Sequence, residues 1–456
     1  MNIEQLKTVY FLGIGGIGMS ALARYLHKAG VSIHGYDKTF TTLTAELESE
    51  GMVIHYDDRP DLIPADTELV VYTPAIPGDL SEFREIQKSG LPLMKRSELL
   101  GEITRTKKTL AVAGTHGKTT VSTLLSHILF PGHNGCTSFL GGIAKNYDSN
   151  LLLNPASRYF VAEADEFDRS FLRLFPWIAV ITSADADHLD IYGDHDALKK
   201  SFADFTANID ENGFLLTRLG IGIQPATKPG VKSYTYSIEG ASDFRALNLT
   251  LVKGIYHFDL QTPGEIIHGL KPSLPGLFNV ENSIAAASAA WLGGSTHEEI
   301  LAGINTFLGV KRRFDHRINS NGFLYIDDYA HHPEELRACI SSVRKLYPGR
   351  HITGVFQPHL YTRTRDFAEG FSESLSLLDR VILMDIYPAR ELPIEGVTSA
   401  MLLDRIGVTD KQICSREEIP DLLQKLRPDI LLTLGAGDID KLVPVIEQRF
   451  NPPTQP

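Results

Sequence analysis

Two glycine-rich turns carry the most specific chemistry in this sequence. The first, Gly13-Ile14-Gly15-Gly16-Ile17-Gly18, lies between a strand pattern at Thr8–Leu12 and a helical pattern running to about Ala29. Glycines there permit a tight turn and let backbone N–H groups approach a diphosphate at a helix N-terminus. Asp37 closes the next strand pattern, Val31–Tyr36, 19 residues after Gly18, where a ribose-binding acid often sits. A purely structural glycine turn is the plainer alternative, but strand, helix and acid together favour nucleotide binding. Alone, this turn would suggest a dinucleotide dehydrogenase.

The second turn changes that reading. Leu110-Ala-Val-Ala-Gly-Thr-His-Gly-Lys-Thr-Thr120 sets Gly114, Thr115, His116, Gly117, Lys118, Thr119 and Thr120 between a strand and a helix. This is phosphate-loop logic: backbone donors cradle phosphates, Lys118 neutralises β/γ charge, and the Thr119 hydroxyl reaches a Mg²⁺ ion. It departs from GxxxxGK[ST] in having Val112 at the first glycine position. A nucleotide-linked substrate on the first loop and ATP on the second is the simpler joint reading.

Other polar clusters follow strand patterns. Glu163-Ala-Asp-Glu-Phe-Asp168 ends one strand, and an acid beside a phosphate loop can hold Mg²⁺. Asp185-Ala-Asp-His188-Leu-Asp190 ends another, and a histidine among carboxylates suits a divalent metal. Taken singly, a solvated acidic loop and a structural histidine are the competing readings. Asp327-Asp328-Tyr329-Ala330-His331-His332-Pro333 reads as substrate and phosphate positioning at a strand end. His359, Arg363 and Arg365 follow a further strand and suit carboxylate recognition, an exposed basic loop being the alternative. Arg313 lies in Lys311–Asp315, at a boundary where an arginine can meet a γ-phosphate on domain closure; ordinary surface charge competes with that reading. Asn279 and Asn282 open an Ala-rich helix, Val280–Leu292, either as helix-terminal residues or facing a base.

Positioning these residues requires strands that alternate with amphipathic helices from end to end, which predicts an α/β fold with largely parallel sheets. Three blocks separate: residues 1–105, 106–310 and 311–456. They read as a Rossmann-like N-terminal domain, a central P-loop ATPase-type domain with an antiparallel extension near 240–276, and a Rossmann-like C-terminal domain. The 456 residues are 43% hydrophobic and 22% charged, ordinary globular usage that argues against disorder. Lys and Arg number 44 against 56 acids, a formal charge of −12 without a basic block, so nucleic acid is an unlikely class of partner. Three widely spaced cysteines, Cys136, Cys339 and Cys414, fit a reduced, cytoplasmic setting. No apolar run approaches the ~18 residues of a membrane span.

In this order, the motifs resemble the Mur ligase family of peptidoglycan synthesis over essentially the whole chain. The resemblance implies that the first loop (Gly13, Gly15, Gly16, Ile17, Gly18, with Asp37) takes a UDP-sugar. It implies that Gly114–Thr120 takes ATP, with Asn279, Asn282, Arg313 and Asp328 also near the nucleotide. Thr119, Glu163 and His188 are implied metal ligands for two Mg²⁺ ions, with Mn²⁺ as a substitute. Tyr329, His331, His359 and Arg363 are implied amino-acid contacts. The implied reaction is ATP-dependent joining of L-alanine to the lactyl carboxylate of UDP-N-acetylmuramic acid through an acyl phosphate. Lys118, His188, Arg313 and His331 are the expected catalytic residues, with His331 the candidate base for the amine.

The chain departs from the family pattern at Leu360, where Arg is common, at Asp57-Asp58 in place of a Gly-His pair, at Gly78-Asp79-Leu80, and at Phe278, where His is common. Murein-peptide recycling ligases share the acceptor type and ATP loop; the D-D-Y-A-H-H-P and G-I-G-G-I-G-M forms favour alanine addition. Folylpolyglutamate synthase shares the ATP loop without the first glycine block. A dehydrogenase accounts only for that first block, and a non-catalytic scaffold would bind ATP without turnover.

Overall fold

The computed structural model describes residues 3–185, 189–320, 322–389 and 391–450. The chain forms two compact units, one ending at Val310 and one beginning at Lys311. The first unit carries two sheets.

Its N-terminal sheet has five parallel strands: β1 (Thr8–Leu12), β2 (Ser32–Tyr36), β3 (Val53–His55), β4 (Leu69–Tyr72) and β5 (Leu93–Lys95), in the order β3-β2-β1-β4-β5. Every residue of β1 is buried, as expected of a central parallel strand covered on both faces.

The second sheet has ten strands: β6 (Lys108–Ala113), β7 (Thr137–Ala144), β8 (Ser149–Leu152), β9 (Tyr159–Ala164), β10 (Ile178–Ile181), β11 (Phe214–Arg218), β12 (Lys232–Ser237), β13 (Phe244–Val252), β14 (Ile255–Gln261) and β15 (Ile266–Leu270). Their order is β15-β14-β13-β12-β11-β10-β6-β9-β7-β8. The core from β12 to β7 is parallel, and β13-β14-β15 form the antiparallel extension. The Ala-rich helix spans Leu277–Leu292, starting three residues before its sequence-predicted start at Val280.

The helix that leaves the first glycine loop, Ile17–Lys28, is wedged between the two sheets. Leu22 and Leu26 join Val9 and Phe11 of β1 in one buried cluster with Ala111, Phe139 and Phe160 of the second sheet. Tyr25 sets its ring edge-on to Phe139 at 5.4 Å. A buried polar clamp completes the wedge. The Asn150 amide donates to the Ile17 carbonyl (2.7 Å) and the Ser20 hydroxyl (2.8 Å), and its oxygen accepts from Arg24 (2.7 Å). Arg24 in turn pairs with Glu46 and Glu50 at 3.0 and 2.7 Å. Asn150→Ala removes the side chain that ties Arg24 to the start of the helix, while Arg24 keeps Glu46 and Glu50 and the Ile17 carbonyl keeps the Ser20 hydroxyl at 2.9 Å. The expected cost is ~1–2 kcal/mol, read as a drop of a few degrees in the first thermal transition. An unchanged transition would show that the clamp contributes nothing.

The second unit holds a six-stranded sheet: β16 (Asp315–Ser320), β17 (Phe323–Asp328), β18 (Ile352–Phe356), β19 (Arg380–Leu383), β20 (Lys411–Ile413) and β21 (Ile430–Leu434). The order is β16-β17-β21-β18-β19-β20, parallel except for the β16-β17 pair. Placing β21 between β17 and β18 leaves the loops after β17 and β18 on either side of a central strand. In such sheets ligands collect at the C-terminal ends of the strands.

Candidate active site

The first glycine loop closes on its own sheet. The N–H groups of Gly13 and Ile14 donate to the Tyr36 carbonyl at 2.8 and 3.1 Å, with Gly13 at φ +83°. Asp37 is turned onto the loop: its carboxylate accepts from the N–H of Gly15 (2.8 Å) and of Thr39 (3.1 Å). A carboxylate has capacity for further donors, so a ribose hydroxyl remains chemically compatible with it. A Cβ on Gly18 would lie 2.6 Å from the Arg96 guanidinium, so that glycine admits the arginine to the loop. Arg96 opens the helix Arg96–Thr104 and lies 3.9 Å from Asp165. Sequence reasoning missed it, because β5, the three-residue strand it follows, carries too little periodicity to be read.

The second loop is pinned by residues that sequence reasoning also passed over. The Ser183 hydroxyl accepts from the His116 N–H (2.7 Å) and meets the Thr115 hydroxyl at 2.9 Å. Thr182 donates to the carbonyls of Ala113 and His116. Gly114 (φ +134°) cannot carry a side chain, since a Cβ would lie 2.2 Å from the Thr182 hydroxyl. The helix then starts at Lys118, so Thr119 and Thr120 occupy its first turn. Lys118 lies across the loop, bonded to the Gly114 carbonyl at 2.7 Å and paired with Glu166 at 2.7 Å. Burial works against its charge, but Glu166, Asp165 and Glu163 outweigh that and push its pKa well up. Behind the loop, Thr120, Leu124, Leu274, Asn279, Asn282 and Phe307 line a narrow cleft. Asn279 donates to the Pro275 carbonyl at 2.8 Å, and the Asn282 amide oxygen lies 2.9 Å from where a Gly117 Cβ would be.

Strand β9 runs through Ala164, so Glu163 lies within the strand, in register with Val112 of β6. The Glu163 carboxylate occupies the space a Cβ on Gly141 would fill, at 2.0 Å, while the Thr119 methyl lies 3.2 Å from a Cβ on Gly142. Two consecutive glycines of β7 thus let the Glu163 carboxylate and the Val310 and Thr119 side chains pack against the strand, which brings a carboxylate and a hydroxyl-bearing side chain to the same place. Hard oxygen donors of this kind suit Mg²⁺, which keeps several waters and needs few protein ligands. The third expected ligand, His188, lies outside the described residues. Among the described residues, no group of three His, Cys, Asp or Glu side chains forms a metal cage.

In the second unit, the predicted residues after β17 and β18 come together. Asp328 accepts from the N–H groups of Phe314 (2.6 Å) and Ala330 (2.8 Å). Burial pushes its carboxyl up to about 6, with Arg313 pulling the other way. Arg313 lies 5.2 Å from the Tyr329 ring centre and 3.9 Å from Glu335. Glu335 accepts from the N–H of His331 at 2.9 Å and lies 3.2 Å from His331 Nδ1. Burial would raise the Glu335 carboxyl, but His331 and Arg313 hold it well below the usual range. His331 and His359 face each other edge-on at 6.2 Å; Arg363 reaches His359 at 3.4 Å, and Tyr387 stacks on His359 at 5.6 Å. Tyr387 is a further residue that sequence reasoning missed.

The raised Asp328 value has a consequence for stability. A carboxyl whose folded value exceeds its unfolded one stabilises the fold below the unfolded value and loses that contribution as pH rises through about 6. The melting temperature of Asp328→Asn should therefore gain on wild type between about pH 4 and pH 6 and hold that gain above it. A pH-independent difference would contradict the buried setting.

Three family models match the chain in succession. The model of the Mur ligase family catalytic domain matches residues 8–108, the Mur ligase middle domain residues 112–290, and the Mur ligase glutamate ligase domain residues 312–437. The chain belongs to the Mur ligase family. It is 51% identical to the UDP-N-acetylmuramate–L-alanine ligase of Phocaeicola vulgatus, over 98% of each chain. The crystal structure of UDP-N-acetylmuramate-alanine ligase from Thermotoga maritima superposes with TM-score 0.82 at 25% identity, covering 97% of this chain and 99% of that one. A murein peptide ligase from Psychrobacter arcticus shares the fold with TM-score 0.74 at 22% identity, over 97% and 98% of the two chains.

Within this Mur ligase, two departures from the family pattern acquire structural roles. Asp58 accepts from the N–H groups of Ser81 (2.8 Å) and Glu82 (3.0 Å), capping the helix Ser81–Ser89. Leu360 sits at φ +69°, a region non-glycine residues rarely adopt, held by its N–H bond to the Tyr387 carbonyl at 2.9 Å. That strained residue begins the helix bearing Arg363, Tyr361–Asp366, so the backbone conformation aims the arginine. Among the described residues, no helix is long and apolar enough to cross a membrane.

Proposed function

We propose that this chain joins L-alanine to UDP-N-acetylmuramic acid at the expense of ATP, in peptidoglycan precursor synthesis. The observation that carries this reading is the 51% identity over 98% of the chain to a ligase of that name. The two loops agree with it. A glycine loop with Arg96 at its last glycine suits the diphosphate of a sugar nucleotide, and the Lys118 loop suits the triphosphate of ATP. We assign residues 1–105 to the sugar nucleotide, 106–310 to ATP and 311–456 to the amino acid.

A carboxylate is a poor acyl donor because its leaving group would be an oxide. Its oxygen attacks the γ-phosphate, ADP leaves, and the acyl phosphate gains a good leaving group. The amine of alanine then attacks the acyl carbon, and inorganic phosphate departs as the amide forms. The protein's share is placement and charge stabilisation. Lys118 and Arg313 are assigned to phosphate oxygens, Asn279, Asn282 and Asp328 to the nucleoside, and Arg363, His359 and Tyr329 to the amino acid. Thr119, Glu163 and His188 would hold Mg²⁺, which when bound neutralises developing phosphate charge. The Tyr329 carbonyl at 3.1 Å and Glu335 at 3.2 Å orient His331 through Nδ1 and leave Nε2 to take the proton from the amine.

The test is ADP release with UDP-N-acetylmuramic acid and each amino acid in turn. Release that requires the sugar nucleotide and is greatest with L-alanine supports the reading. Turnover only with an intact tripeptide would assign the chain to peptide recycling instead.

A further inference from the structure

A lysine ammonium has three N–H donors. In Lys118 each has a protein acceptor: the Gly114 carbonyl at 2.7 Å, the Thr115 carbonyl at 3.4 Å, and the Glu166 carboxylate at 2.8 and 2.7 Å from its two oxygens. Glu166 is wholly buried, and the Tyr192 hydroxyl fixes its backbone by donating to its carbonyl at 2.6 Å. The two carbonyls belong to the loop and travel with it. Glu166 comes from a different strand end and carries a full charge. A phosphate oxygen that reaches Lys118 must therefore take the place of one of these acceptors, and the charged one competes with it most directly.

We propose that Glu166 is a positioning residue for Lys118: it holds the ammonium along the loop before nucleotide binds and exchanges it for phosphate oxygens afterwards. The proposal rests on the reading of Gly114–Thr120 as an ATP loop. It makes two consequences run in opposite directions. Removing the carboxylate removes a negative charge that competes with the phosphates, so nucleotide binds more tightly. Removing it also frees the lysine to adopt unproductive positions, so turnover slows. Simple damage to the site would weaken binding and slow turnover together.

The experiment measures ATP and ADP dissociation constants by calorimetry with the full-length protein, in EDTA, without sugar nucleotide or amino acid. Metal-free conditions leave Lys118 as the main charge answering the phosphates. Glu166→Gln should lower the ATP dissociation constant by about tenfold and lower kcat by about tenfold. Glu166→Asp keeps the charge but draws it back by one methylene, and should tighten ATP by about threefold. In the double variant Lys118→Ala, Glu166→Gln the gain in affinity should vanish, because the competitor has nothing left to compete for.

An unchanged or raised dissociation constant in folded Glu166→Gln overturns the proposal, as does a gain that survives Lys118→Ala. Should Glu166→Gln not fold, Glu166→Asp decides: unchanged or weakened ATP binding overturns it. Lys118→Ala alone separates this from the wider reading. If that variant binds ATP as wild type does, the ATP-loop assignment fails. If it loses ATP while Glu166→Gln gains nothing, only the role of Glu166 fails.

Discussion

Lys118→Ala should reduce ADP release with UDP-N-acetylmuramic acid and L-alanine by about a thousandfold or more. The size follows from what the side chain does and where it sits. Its side chain is only 13% exposed, its charge is secured by surrounding carboxylates, and it spans a loop closed at Gly114 and Gly117 by their positive φ angles. A charge held in a dry, fixed position needs no reorganisation when negative charge moves between phosphate oxygens. The fold should survive, since Lys118 is the first residue of its helix and the hydrophobic face begins at Val121. Far-ultraviolet circular dichroism unchanged beside lost turnover is the expected pair of results. Turnover within tenfold of wild type in a folded variant would remove Lys118 from the phosphate site.

What sequence reading supplied, and what it could not, divides along a physical line. Loops built from glycine and lysine are local objects: their turn conformations and donor patterns are encoded within a few residues, so Gly13–Gly18 and Gly114–Thr120 were legible at once. Strand cores such as Thr8–Leu12 and Ile430–Leu434 were legible as buried apolar runs with boundaries that match. Short or edge strands such as Val53–His55, Leu93–Lys95 and Lys411–Ile413 were not, because three residues carry too little periodicity.

The missed site residues share a different property: each acts across a long separation in the chain. Thr182 and Ser183 brace a loop about seventy residues earlier, Asn150 clamps a helix more than a hundred residues earlier, and Arg96 reaches Gly18. Nothing in the local pattern around a lone Ser or Asn announces such a partner. Parallel topology creates these meetings by bringing the C-terminal ends of distant strands together. Even Asp37, read correctly as a loop acid, bonds first to the loop's own Gly15.

Arg363→Ala should raise the KM for L-alanine by about a hundredfold or more, equivalent to ~3 kcal/mol, and leave the KM for ATP close to wild type. The amino acid is so small that its affinity is bounded at ~1.5 kcal/mol per non-hydrogen atom, and its methyl group contributes little of that. Its carboxylate must therefore supply much of the binding energy. Leu360 brings no charge to a carboxylate, so Arg363 bears more of that contact. It is held ready for it: the strained backbone of Leu360 starts its helix, and His359, stacked on Tyr387, lies 3.4 Å from its guanidinium. Arg363→Lys should recover only part of the loss, because an ammonium restores the charge without the planar fork that grips a carboxylate with two bonds. Steady-state kinetics with alanine and ATP varied separately distinguish the outcomes. Equal rises in both KM values would point to a disturbed unit rather than a lost contact, and an unchanged KM for alanine would place its carboxylate elsewhere.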